Sequence, residues 1–321
     1  MCKVACVANV NEKNREGVWT FLTLLGQLIS YGNNDGLGYA AVDGQGKLFG
    51  EKWLVNETAF SGDLTTIKNV TKANVHKIYD SFGPVNRDDA RAIILHTRAA
   101  TCDRKIENTH PFVNDKQNPT IAILHNGIIS NHMRFLKKYS TCDSEVFAHL
   151  EDRYKIGTDL ANINKFIKQV QGWYTVLSLT VRPDGVPVMD AFTDTGLLCS
   201  YFVKELGTRI WSSQLRDVAE VARALQLTVT DPQQLKRGKA MRVSVASGDV
   251  LSVLHLAQGY EPVQEIKESG GGTVRVMSGN LDDENFRRRH FGALLKSDDK
   301  SPAKSEMGDQ EPDWNDLGYI Y

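Results

Sequence analysis

The chain has 321 residues, 41% hydrophobic and 24% charged, enough for a sizeable core and too apolar for an intrinsically disordered protein. Its 38 basic residues nearly cancel 39 acidic ones, leaving a formal net charge of -1, so no global field draws it to nucleic acid or anionic lipid. No apolar run reaches bilayer-spanning length and the first residues lack a signal-peptide stretch, which predicts a cytoplasmic protein with no membrane role.

The chain opens with a short β-branched run, KVACVANV, followed by a polar loop and by VWTFLTLLGQLIS, whose apolar positions fall at helical spacing. LGYAAVD and KLFGEKW flank the tight GQG as a β-hairpin. A mixed stretch to about Asp89 holds one predicted helix, KANVHKIYD. RAIILHT and TIAILHN then read as buried strands, continuous and β-branched, each ending in a polar residue. Helical periodicity returns in NHMRFLKKY, DSEVFAHLEDRY and DLANINKFIKQV. WYTVLSLTV and VPVMDAF form a second hairpin across RPDG, LLCSYFV and TRIWSS continue as strands, and LRDVAEVARALQ is a helix. KAMRVSVASGDVLSV is a third hairpin around SGD.

Hairpins interspersed with a few helices, without β-α-β alternation, predict an α+β protein of antiparallel sheets covered by helices. Residues 1–256 carry that pattern. Residues 257–321 read as a linker, marked by SGGGT, and an acidic, flexible tail.

The five cysteines, Cys2, Cys6, Cys102, Cys142 and Cys199, are scattered and odd in number, with no C-x-x-C pair, so neither a disulfide framework nor a zinc site is predicted. Cys6, Cys102, Cys142 and Cys199 read as ordinary small thiols. Histidines do not cluster with carboxylates at ligand spacing and no Gly-rich loop opens a helix, so no metal and no cofactor is expected.

Cys2 is different. Once Met1 is removed, its thiol and a free α-amine belong to one residue, and an amine of reference pKa near 8 can serve as base for its own side chain. An attacking thiolate needs donors for the oxyanion it creates, and Asn126 and Gly127, closing the strand TIAILHN, offer a side-chain amide and an unobstructed backbone N–H. Arg98, just past RAIILHT, can grip a carboxylate with its planar fork. Asp143, before the helix DSEVFAHL, suits an ammonium, with a helix N-cap as the competing reading.

Taken in order, MC, NNDGLGYAAVD, LHTRAAT with ENTHPF, LHNGIISNH and STCDSEVFAHL resemble the glutaminase domain of the class II glutamine amidotransferases. The resemblance extends more weakly to about Leu256. It implies a four-layer αββα sandwich of the N-terminal-nucleophile type, with Cys2 as nucleophile and Asn126 and Gly127 as the oxyanion hole. It implies that Arg98 and Asp143 hold the carboxylate and amine of glutamine, and that Thr101 and His110 line or support the pocket. A packing role for His110 is an equal reading.

Two departures stand out: Gly32 and Asn33 replace the Arg-Gly common in the synthase-linked branch, and Ala99 replaces the aromatic residue that often follows the arginine. The implied activity is hydrolysis of glutamine, through a Cys2 thioester, to glutamate and ammonia for a separate synthase. A free-standing γ-glutamyl amide or peptide hydrolase, and a non-catalytic interaction protein on the same scaffold, are the alternatives.

Overall fold

Strands that are apolar on both faces have to be covered on both, and this requirement organises the molecule. The computed structural model describes residues 2–30, 35–54, 90–100, 103–257 and 318–319. The chain divides into two units, residues 1–259 with 317–321, and residues 260–316; all the described residues belong to the first. The helix expected at KANVHKIYD lies outside the described residues, as does nearly all of the tail.

In chain order the strands are β1 (Lys3–Val7), β2 (Gly36–Asp43), β3 (Leu48–Trp53), β4 (Ala90–Arg98), β5 (Phe112–Val113), β6 (Ile121–Ile129) and β7 (Gly172–Val181). They continue as β8 (Pro187–Thr193), β9 (Cys199–Val203), β10 (Thr208–Ser212), β11 (Val229–Gln234), β12 (Lys239–Ser244), β13 (Val250–His255) and β14 (Gly318–Tyr319). The helices are α1 (Arg15–Ser30), α2 (Glu145–Tyr154), α3 (Ile163–Ile167) and α4 (Leu215–Ala224). One sheet has the order β14-β11-β9-β10-β1-β4-β2-β3 and the other β13-β12-β8-β7-β6-β5. Every pairing is antiparallel except that of β14 with β11.

The two-residue period of a strand sorts its side chains into three cores. Val4, Cys6, Ala40, Val42 and Ile94 of the first sheet meet Ala122, Leu124, Leu177 and Met241 of the second between the sheets. Their neighbours Ala5, Val7, Tyr39, Ile93 and Leu95 face the other way, under Phe21 and Leu25 of α1 and Val218 of α4. On the far side of the second sheet, Ile121, Ile123, Val176 and Phe192 pack against Phe147 of α2 and Phe166 of α3. The result is the αββα sandwich that the sequence led one to expect. Phe147 makes edge contacts with Phe166, Tyr174 and Phe192, and its truncation to alanine would cost about 3–5 kcal/mol.

Two local expectations fail and one strand went unread, each for an identifiable reason. NHMRFLKKY is not a helix: only His132–Arg134 forms a 3-10 turn. Met133 and Leu136 are 78% and 69% exposed, so the apolar spacing has no face to bury. The N–H groups of Lys138 and Tyr139 bond instead to the Glu145 carboxylate, at 2.6 and 2.9 Å. DLANINKFIKQV breaks into a 3-10 turn, Leu160–Asn162, and the short α3, with Asp159 capping Ala161 N–H at 2.9 Å. β11 went unread because VTDPQQ holds Pro232 and shifts register between Thr230 and Gln233, with Asp231 at φ 50°.

Candidate active site

The N-terminus, the end of β4, the end of β6 and the loop entering α2 converge on a cavity of about 170 Å³. Cys2, Arg98, His110, Asn126, Gly127 and Asp143 all line it. Six of the seven expected site residues therefore share one cavity, and Thr101 lies outside the described residues. So do Gly32 and Asn33, where the sequence departs from the family pattern.

Strand register places the thiol. β1 pairs with β4 so that Lys3 faces Thr97, which sets Cys2, one residue earlier, beside Arg98 at the strand's end. Its Sγ donates to the Ala99 carbonyl at 3.5 Å. Burial raises the thiol pKa above its ordinary value, with the Ala99 bond and the Arg98 charge acting against it and Asp143 adding to it. Such a sulfur is a thiol at neutral pH and needs a base to become a nucleophile.

Arg98 is only 2% exposed, far from the solvated charge that a lone arginine at a strand end would be. Its guanidinium donates to the Asp103 carbonyl at 3.0 Å, which draws the following turn over the strand end. Asp35 fastens the same turn. Its carboxylate accepts from Ala100 N–H at 2.7 Å and pairs with Arg104 at 3.4 Å, while its own N–H donates to the Arg98 carbonyl at 3.1 Å.

Asp143 does not cap the helix. One oxygen accepts the Ile129 N–H at 2.7 Å, joining the loop to β6, and the other receives the Cys142 thiol and the Ser144 hydroxyl, each at 3.4 Å. Ser144 Oγ lies 2.8 Å from His125 Nδ1. If Ser144 donates to the carboxylate, His125 donates to Ser144 and carries its proton on Nδ1. Behind Asp143, the buried Glu145 accepts from Lys138, Tyr139, Ser140 and His149 at 2.6–2.9 Å. Burial alone would raise its pKa, but these four bonds outweigh it and hold the group at about 2.

Asn126 and Gly127 occupy the exit of β6, opposite Thr175 and Tyr174 of β7. The Asn126 oxygen is buried without a partner, and its amide nitrogen makes no hydrogen bond to the described residues, which leaves that donor for the cavity. Gly127 is required by space: a Cβ there would stand 2.1 Å from the Trp173 carbonyl and 2.5 Å from His125 Nε2. The turn reading of Asn-Gly is excluded, since both residues lie inside a nine-residue strand.

His110 is buried, with neither ring nitrogen hydrogen-bonded, and stacks on His96 at 3.8 Å. Burial, with the neighbouring His96, keeps it well below the ordinary histidine pKa, so it is neutral. Geometry therefore gives it a wall position. His96 Nε2 contacts the His125 carbonyl at 3.2 Å, tying β4 of one sheet to β6 of the other. Asn108 links the ENTHPF loop to the 140s loop through the backbone N–H and hydroxyl of Thr141, at 3.0 and 3.2 Å.

Cys142, Ser144, His125 and Trp173 also line the cavity and were not singled out from the sequence. Cys142, Ser144 and His125 stand inside the motifs TCDSE and LHNG, where adjacency to Asp143 and Asn126 was the available signal. Trp173 follows from register alone, facing Ile128 across the β6–β7 ladder. Among the described residues no group of three His, Cys, Asp or Glu side chains is placed to hold a metal ion. No described helix is long and apolar enough to cross a membrane.

No family model matches the chain. It is 36% identical over 107 residues to the glutamine–fructose-6-phosphate aminotransferase (isomerizing) of Idiomarina loihiensis, covering 30% of this chain and 17% of that protein. The enzyme of the same name from Treponema pallidum is 37% identical over 105 residues, covering 29% and 16%. The one from Pectobacterium atrosepticum is 29% identical over 172 residues, covering 50% and 24%. The match thus spans about a quarter or less of these relatives' length. Among solved structures, a glutamine phosphoribosylpyrophosphate amidotransferase from B. subtilis, complexed with ADP and GMP, superposes with a TM-score of 0.54 at 19% identity, over 80% of this chain and 50% of that one. The allosteric regulatory enzyme of purine biosynthesis gives 0.52 at 19%, over 76% and 47%.

Proposed function

From this chain's relationship to the class II glutamine amidotransferases, whose N-terminal-nucleophile fold it shares, we propose that it hydrolyses the side-chain amide of glutamine and delivers the ammonia to a synthase partner. One observation supports the reading: the Cys2 thiol, Asn126, Gly127 and the opposite charges of Arg98 and Asp143 line a single cavity. Residues 1–256 would form the glutaminase domain, with 257–321 outside it. A reduced thiol nucleophile fits a cytoplasmic setting.

In the proposed reaction Arg98 grips the α-carboxylate of glutamine and Asp143 the α-ammonium, which sets Cδ against the Cys2 sulfur. The freed α-amine of Cys2 takes the thiol proton as sulfur attacks, and Asn126 Nδ2 and the Gly127 N–H hold the resulting oxyanion. The same amine returns the proton to the departing nitrogen, so ammonia leaves and a γ-glutamyl thioester remains. Water, deprotonated by that amine, then cleaves the thioester to glutamate and restores the thiol. The raised pKa of Cys2 explains why an adjacent base is needed.

Glutamate and ammonia release should be measured for the wild type, Cys2→Ser and Asn126→Ala, with intact mass reporting whether Met1 has been removed. Abolition in the first variant and a loss on the order of 100-fold in the second are expected. Full activity in both would sink the assignment. Comparing glutamine with γ-glutamyl peptides, with and without co-purifying proteins, tests the delivery: a strong preference for a peptide would refute it.

A further inference from the structure

A second cavity, of about 390 Å³, lies where the edge strands β3 and β5 of the two sheets come side by side. Its floor is apolar, built from Ala40, Leu48, Phe112, Val113 and Ala122. Over this floor stand two cations: Lys52 Nζ is 5.2 Å from the centre of the Phe112 ring, and Lys116 Nζ is 4.6 Å from that of Tyr139. Neither forms an ion pair among the described residues, and Glu51 and Glu107 stand on the exposed rim.

We infer that this cavity is a small-molecule site for a flat, apolar acid, its ring on the Phe112–Val113 floor and its carboxylate or phosphate between Lys52 and Lys116. The residues are those of such sites, an apolar body with a few convergent polar groups. Burial, and next the charge of Lys116, lower the Lys52 pKa to about 8, with Glu107 and Glu145 acting against the shift. An anion between the two lysines favours their charged forms.

The two cavities are lined by adjoining residues. Lys52 donates to the carbonyls of Thr109 at 2.7 Å, Pro111 at 3.3 Å and Glu107 at 3.4 Å, the last being the longest bond and the one an anion would displace; Thr109 and Pro111 flank His110, which lines the first cavity while Pro111 lines the second. The His110 carbonyl itself fits against Gly38 so closely that a Cβ there would approach it to 2.0 Å. The loop carrying Tyr139 into the second cavity carries Asp143 into the first, and the Tyr139 N–H donates to Glu145 at 2.9 Å. A ligand that moves Lys52 or Tyr139 is therefore linked to glutamine binding, a corollary that rests on the function proposed above.

The test uses the full chain and 2-naphthoate as probe, followed by its fluorescence, with 2-naphthamide and 2-naphthylmethylamine as neutral and cationic counterparts. Saturable binding of the acid is expected, with both counterparts at least about tenfold weaker. Lys116→Glu, an exposed substitution, should weaken the acid about tenfold or more with thermal unfolding unchanged; Lys52→Met should weaken it as much but lower the melting temperature, because the Thr109 and Pro111 carbonyls lose their donor. Equal binding of the three probes, no saturable binding, or insensitivity to Lys116→Glu overturns the site. Separately, labelling of Cys2 by a γ-glutamyl electrophile should change at least about threefold in rate with saturating 2-naphthoate, and not in Lys116→Glu. An unchanged rate refutes the linkage, whereas no labelling without the probe refutes the glutamine reading and leaves the binding result standing.

Discussion

Replacing Gly127 by alanine separates a role in chemistry from a role in packing. The new Cβ would lie 2.1 Å from the Trp173 carbonyl oxygen, 2.5 Å from His125 Nε2 and 2.8 Å from Tyr174 Cα. Carbon and oxygen are comfortable at roughly 3.3 Å or more, so β6 has to retreat from β7 by about 1 Å at this point. A shift of that size moves the Gly127 N–H off the position where the oxyanion develops. On the order of 100-fold should be lost from kcat, with KM within about threefold because the charge clamps on glutamine are untouched. Overpacking should also cost about 1–3 kcal/mol, which in a domain of this size lowers Tm by about 3–10 °C. The assay is glutamate release against glutamine concentration at a temperature well below both melting points, normalised to the folded fraction from circular dichroism. If the folded variant turned over within threefold of the wild type, Gly127 would be a packing residue and the oxyanion assignment would fall.

Asp143→Asn should raise KM for glutamine at least about tenfold through loss of the ammonium's partner, while an amide oxygen still accepts the Ile129 N–H; an unchanged KM would contradict the clamp. Glu145→Gln should destabilise the fold by about 1–3 kcal/mol at pH 7, since an amide cannot accept all four bonds. The sign follows from its folded pKa of about 2, below the ordinary 4.5: the stability it contributes is present above pH 4.5 and lost as pH falls through 2, so the variant's urea midpoint should vary less in that window. Glu151 behaves oppositely. Burial, with Asp190 adding to it, pushes its pKa up to about 8, so between pH 4.5 and 8 the unfolded chain ionises while the folded one stays protonated, and stability declines as pH rises. Glu151→Gln should flatten that decline, and a Tm difference between pH 5 and pH 8 equal to the wild type's would refute the assignment.

How much could be read from the sequence depended on whether the signal was local. The double-sided apolar runs RAIILHT and TIAILHN announced their burial directly, because no other placement covers both faces. Cys2, Arg98, Asn126, Gly127 and Asp143 were legible as an ordered set, and the fold brings them to one cavity. Trp173 was not, since only the β6–β7 register brings it to the cavity. Nor was Glu145, whose partners at Lys138, Tyr139 and Ser140 replace the helix that NHMRFLKKY suggests: one buried carboxylate overrode a periodic pattern with nothing to pack against. β11 was hidden by its Asp-Pro bulge.

The layer between the two sheets sets five alanines, Ala8, Ala40, Ala92, Ala122 and Ala191, among larger side chains such as Leu124, Met189 and Trp211. That layer also works as a gauge. Arg98 ends β4 in one sheet, Asn126 and Gly127 lie in the second half of β6 in the other, and in the proposed reaction glutamine spans the gap between them. Larger side chains in place of those alanines would act as shims, lengthening the reach from Arg98 to Asn126 and Gly127 without touching any of the three. Under the proposed function, substrate length would thereby be written into interior packing some distance from any reacting atom.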